Sequence, residues 1–170
     1  MRLGAVLLIL LVAASATAEP FRSERNYLEV ELIPELKPAA TPVETGAGTV
    51  VVATFLGPKL RAAITRINAP NRRAWRKDAA FFREVEAGLA KSSQGYKRRT
   101  RRQHKLGKVP ALDIDFERTH EQATERVYSR FLFFRTFSVT LMIAVPKRAP
   151  RSLRRRVAKM RASFRPYFKK

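Results

Sequence analysis

VYSRFLFFRTFSVTLMIAV, Val127 to Val145, is the stretch whose reading decides the fold. It is rich in β-branched and aromatic residues, which fit a pleated strand better than the crowded turn of a helix. In its second half Phe137, Val139, Leu141, Ile143 and Val145 fall at every second position. Ser138, Thr140, Met142 and Ala144 take the other face, the period of a strand lying on a core. The first half, Tyr128 to Phe134, reads as apolar on both faces, as expected of a central strand covered on two sides. Arg135 and Thr136 break the run at an expected tight reversal. The stretch predicts a hairpin at the heart of a sheet.

Just upstream, Val109-Pro110 introduces a strand over Ala111 to Glu117, with Leu112, Ile114 and Phe116 toward the core and Asp113, Asp115 and Glu117 opposite. Thr119 to Thr124 turns it into the central hairpin. Downstream, Pro150-Arg151-Ser152 opens a last helix that ends before Pro166. Its Leu153, Val157, Met160 and Phe164 form one apolar stripe. Further upstream, Thr49 to Leu56 and Arg61 to Ile67 flank the turn signal Gly57-Pro58-Lys59 and read as another hairpin. A helix capped by Asn71 is expected to run to Lys91, with Trp75, Ala79, Phe82, Val85 and Leu89 on one stripe and Gly95 as its stop. Tyr27 to Ile33 alternates as a first strand. Pro34, Pro38 and Pro42 then make a stiff connection to Gly46-Ala47-Gly48, whose length marks a functional or a mobile loop, the mobile reading being preferred. The order of strand, hairpin, helix, strand, hairpin, helix gives an α+β class: a central antiparallel sheet flanked by helices.

The first residues have the form of a secretory signal. Arg2 is the positive region, Leu3 to Ala14 the apolar region, and Ala16-Thr17-Ala18 the cleavage pattern. Cleavage after Ala18 is expected to leave one α+β domain over residues 19–170, exported to the periplasm or secreted. The chain has no cysteine, so the core rests on burial alone, and thiolate catalysis and cysteine metal sites are excluded. Lysine and arginine total 35 against 14 acids. Lys91 to Lys108 and Lys147 to Lys170 together hold 19 of those bases and no acid, so both stretches should attract polyanions.

VPALDIDF, then RFLFFRTFSVTLMIAVP, then a helix closing on ASFRP (Ala162 to Pro166), resembles the PsbP-like family of α/β/α sandwich domains. TVVVATF, NAPNRRAW and the helix after them are compatible with the same plan. The resemblance covers most of the chain as an order of elements. It implies a central antiparallel sheet between helices, in exported proteins that bind or support assemblies rather than catalyse. Residues for photosystem docking or metal binding find no match here, and none is carried across.

Enzyme signatures are thin. The chain has no Walker loop, no G-x-G-x-x-G, no G-x-S-x-G and no H-E-x-x-H. His104, inside a basic run without an obvious carboxylate partner, reads as a solvated loop histidine. Asp113, Asp115, Glu117 and His120 form the one patch that could serve a metal-dependent or acid–base hydrolase. Alternate strand residues are about 6.6–6.8 Å apart, however, which is open for one ion, so ion pairing across the sheet is the stronger reading. No cofactor is expected. The candidate polyanion-binding residues are Lys97, Arg98, Arg99, Arg101, Arg102 and Lys105 in the first basic run, with Arg151, Arg154, Arg155 and Arg156 on the last helix. The run Lys97 to Lys105 reads as a loop, either solvated or in contact with phosphate. The helix stripe suits packing on the sheet, leaving its arginines outside where they can touch lipid headgroups. The expectation is an exported non-enzymatic domain that binds an anionic surface or acidic protein, or supports an envelope assembly. A secreted nucleic-acid binder is the further alternative, against which the compartment and the lack of an aromatic platform both count.

Overall fold

The computed structural model describes residues 20–40, 43–45, 48–68 and 79–168. The expected signal, the Asn71 cap and Trp75 lie outside the described residues. The strands are β1 (Phe21–Ser23), β2 (Leu28–Val30), β3 (Lys37–Ala40), β4 (Val43–Thr45), β5 (Thr49–Gly57) and β6 (Leu60–Asn68). They are followed by β7 (Lys97–Leu106), β8 (Val109–His120), β9 (Ala123–Phe133), β10 (Phe137–Pro146) and β11 (Arg165–Pro166). Helix α1 (Ala79–Lys91) lies between β6 and β7, and α2 (Arg151–Ser163) follows β10.

The main sheet runs β3-β5-β6-β10-β9-β8-β7, with β4 also on β5, and every pairing is antiparallel. The quoted stretch becomes β9 and β10, joined across Arg135-Thr136, with Phe134 N donating to Phe137 O at 2.9 Å. Its period-2 residues Val139, Leu141, Ile143 and Val145 are all but fully buried, as is Leu132 across the hairpin. Over them lie α2, through Leu153, Val157, Met160 and Phe164, and a small second sheet ordered β1-β2-β11. The opposite face is closed by α1, whose Phe82 and Leu89 pack on Leu112, Ile114, Phe116, Phe131 and Phe133. This covering explains why Ser138, Thr140 and Ala144 are buried as well. The result is three layers around two apolar clusters.

Several expectations are corrected. The strand expected over Tyr27 to Ile33 is only β2 (Leu28–Val30), in the small sheet, where Arg22 and Arg165 bury Glu29. The proline-rich connection supplies β3 and β4, and Pro38 is tolerated because β3 pairs on one side only. The basic run is not a loop. It is β7, paired with β8 along its whole length. Val109 to His120 is longer than foreseen, turning at Glu121 and Gln122, both at positive φ (47° and 65°). Gly95 (φ +65°) does end the connection from α1. A side chain there would strike Thr119 Oγ1 at 2.8 Å.

Candidate functional site: a basic face over buried carboxylates

Strand β7 is an edge, and a row of lysine and arginine is what keeps such an edge from pairing with other chains. Strand alternation divides the run between two faces. Arg98 and Arg101 pair opposite Phe116 and Ile114, on the α1 side, where both ion-pair with Glu86 of α1 at 2.8 and 3.0 Å. Tyr96 also donates to Glu86 (3.3 Å), and burial beside that carboxylate pushes its phenol up to about 12. Lys105 pairs with Pro110 on the same side. Lys97 and Arg102 pair opposite Glu117 and Asp113, on the α2 side. A bulge between Arg98 and Thr100 brings Arg99 to 3.7 Å from Glu117.

Beneath this α2-side edge runs the carboxylate row of β8. Asp113 and Arg130 are direct cross-strand partners, joined by two bonds of 2.7 and 2.8 Å, with both side chains buried. Arg130 Nη1 also donates to the carbonyls of Ala162 and Phe164 (3.0 and 3.2 Å), closing the end of α2 onto the sheet. Asp115 takes Arg161 of α2. Burial still pushes the Asp115 carboxyl up, against the pull of Arg161, Thr100 and Arg126. Glu117 takes Lys147 at 3.1 Å, and that bond holds its carboxyl below the ordinary value. His104 lies half-buried with Nε2 3.9 Å from Asp113, so it has the carboxylate neighbour the sequence did not reveal. Burial pushes its imidazole down, Asp113 opposing and the nearby arginines adding to the effect.

Charge is in surplus where α2 passes over β9. Arg126 and Arg161 stand over the Tyr128 ring at 5.3 and 5.8 Å, and the Tyr128 phenol is pushed up first by burial. Arg154 also faces Tyr128 and opposes that rise. The Nε atoms of Arg126, Arg154 and Arg161 are each buried without a hydrogen-bond partner among the described residues. Arg161 has Asp115, whereas neither Arg126 nor Arg154 has a carboxylate within ion-pair distance among the described residues. Arg126 and Arg154 are therefore guanidinium groups with no ion-pair partner among the described residues, although Arg126 still favours the charged Asp115 carboxylate.

No protein-family model matches the chain, and no curated protein matches it. Solved structures do. Cyanobacterial PsbP (CyanoP) from Synechocystis sp. PCC 6803 superposes with a TM-score of 0.65 at 8% identity, over 97% of this chain and 99% of that one. The fold is PsbP-like. LpqN, a protein involved in cell envelope biogenesis of Mycobacterium tuberculosis, matches with a TM-score of 0.50 at 10% identity, over 82% and 83% of the two chains. A Bacteroides thetaiotaomicron structure matches with a TM-score of 0.52 at 13% identity, over 90% of this chain and half (50%) of its own.

On this PsbP-like frame the candidate polyanion-binding residues of the two basic stretches fall in different surroundings. Arg98 and Arg101 are committed to Glu86, and Arg156 to Glu35 at 2.5 Å. Arg151 and Arg155 are exposed on α2, and Arg154 belongs to the cluster at Tyr128. The four-residue acidic patch is not assembled either. His120 turns to the α1 side, against Arg61, which is itself held by Glu125 at 2.9 Å. Among the described residues no group of three or more histidines and carboxylates is placed to hold a metal ion. Sequence reasoning missed Arg126 and Arg130 as functional neighbours, although their register opposite Glu117 and Asp113 follows once β8 and β9 are known to pair.

Proposed function

We propose that this chain is an exported, non-enzymatic domain that binds an anionic partner on the face shared by β7, β9 and α2. The observation that supports it is the gathering of Arg126, Arg154 and Arg161 around Tyr128 with Asp115 as the carboxylate partner of Arg161. Lys97 and Arg102 on the α2 side of β7, and Arg151 and Arg155 on α2, extend this field. The neighbour concerned with cell envelope biogenesis accords with a place outside the cytoplasm. Among the described residues no helix is long and apolar enough to cross a membrane, so contact with an anionic surface would be peripheral.

The test is binding to phosphatidylglycerol vesicles, phosphatidylcholine vesicles and duplex DNA, each titrated with salt. The expected result is binding to the anionic vesicles that weakens steeply between about 50 and 200 mM salt, as charge-driven association does. The double variant R126Q/R154Q should weaken it further at fixed salt. Equal affinity for both vesicle types, or an unchanged double variant, overturns the reading. Stronger, salt-sensitive binding to DNA would favour the nucleic-acid alternative.

A further inference from the structure

The other flank of the same sheet face carries a second, unrelated site. An open groove of about 790 Å³ lies between the β1 end of the small sheet and strands β3, β5 and β6. That volume is in the range of small-molecule sites. Its accessible apolar part is Phe21, Pro38 and Val50, with Phe21 packed edge-on against the buried Phe55 at 5.3 Å. Its polar part is Arg25, Asn26 and Arg66. Among the described residues no carboxylate lines the groove.

Arg66 is the informative residue. Strand β6 holds it half-buried, stacked on the Phe137 ring at 4.2 Å. Among the described residues its donors meet only neutral oxygens: Nε goes to Asn68 Oδ1 (3.1 Å), and Nη1 goes to Arg25 O and Asn26 Oδ1 (both 3.4 Å). Arg25 adds a second guanidinium with no counter-ion in ion-pair range among the described residues, and its field opposes the charge on Arg66. A half-buried cation beside a like charge is costly unless an anion completes the site. Arg22, also in the lining, is already held by Glu29 at 3.0 Å, so it is not the residue asking for a ligand.

We propose that this groove binds a single-chain amphiphile with an anionic head, a carboxylate or a phosphate. The head sits between Arg66 and Arg25, where a guanidinium fork suits a carboxylate or phosphate oxygen pair. The chain lies along Phe21, Pro38 and Val50, the apolar members of the lining that still have accessible surface, where apolar area leaves water. The site is separate from the basic face at Tyr128, so either proposal can fail alone.

The experiment is calorimetric titration of the full chain with laurate and dodecyl phosphate below their micelle concentrations, beside dodecanol and inorganic phosphate. Both anionic amphiphiles should saturate one site, with dodecanol and inorganic phosphate at least tenfold weaker. Arg66→Gln should lower laurate affinity tenfold or more. Arg25→Gln, on an exposed residue whose loss leaves the core untouched, should lower it several-fold. R126Q/R154Q should bind laurate as the parent does. Lack of saturation by either amphiphile overturns the proposal, as does dodecanol binding as tightly as laurate. So does phosphate binding as tightly as dodecyl phosphate, or parental affinity in both the Arg66 and the Arg25 variants.

Discussion

Substituting Asp113 by asparagine is the sharpest test of how the layers are held together. The carboxylate and the Arg130 guanidinium are each about nine-tenths covered, and they share two bonds of 2.7 and 2.8 Å. Asparagine keeps one acceptor but removes the charge, leaving Arg130 cationic in the interior between sheet and helix. Breaking a buried pair from one side costs about 3–5 kcal/mol, and the retained acceptor places Asp113→Asn near the lower end. For a domain of this size each kcal/mol moves Tm by roughly 2–4 °C, so a fall of roughly 6–12 °C is expected. Far-UV dichroism melts, repeated as urea titrations, provide the assay. Arg130→Met should be comparably damaging, because it strands Asp113 and removes the donor to the carbonyls of Ala162 and Phe164. The double variant D113L/R130M should recover part of the loss, though not those two carbonyl bonds. A Tm within 1–2 °C of the parent for Asp113→Asn, below what a buried pair of this kind would give, would mean that water reaches the pair and that the desolvation argument is wrong.

The turn between β8 and β9 sets Gln122 at φ 65°, so Gln122→Gly should stabilise by about 1 kcal/mol, read as a higher urea midpoint. Gly95→Ala acts in the opposite sense. Its positive φ and the 2.8 Å approach to Thr119 Oγ1 predict a loss of about 1–2 kcal/mol by the same measurement. For Glu29, burial alone would raise the carboxyl, but Arg165 and Arg22 more than reverse it, and Lys147 depresses Glu117. Both contribute stability above the ordinary carboxylate value that is lost as pH falls through their lowered folded values. Glu117→Gln should therefore flatten the acid limb of a Tm-against-pH curve, and an unchanged limb would rule out its part.

How legible was this molecule in its residues? The central hairpin was, because a strict two-residue period over Phe137 to Val145 has no helical solution, and both of its strands are largely buried. The stripe of α2 was legible for the same reason. Strand β7 was not. A run of lysine and arginine has weak strand preference, and its extended form is imposed by the ladder that β8 offers. The long reach of Glu29, bridging Arg22 of β1 and Arg165 of β11 from the middle strand of the small sheet, was likewise invisible to local pattern.

By itself the sequence determined the α+β class, the hairpins and the excess of positive charge, since hydrophobic period and composition are properties of neighbours along the chain. Only the tertiary structure decided which cations are neutralised. That choice turns on strand register and on where α2 lies over the sheet. A shift of a single residue exchanges the two faces of a strand, so Arg101 meets Glu86 while Arg102, its neighbour, looks toward Asp113 on the other side.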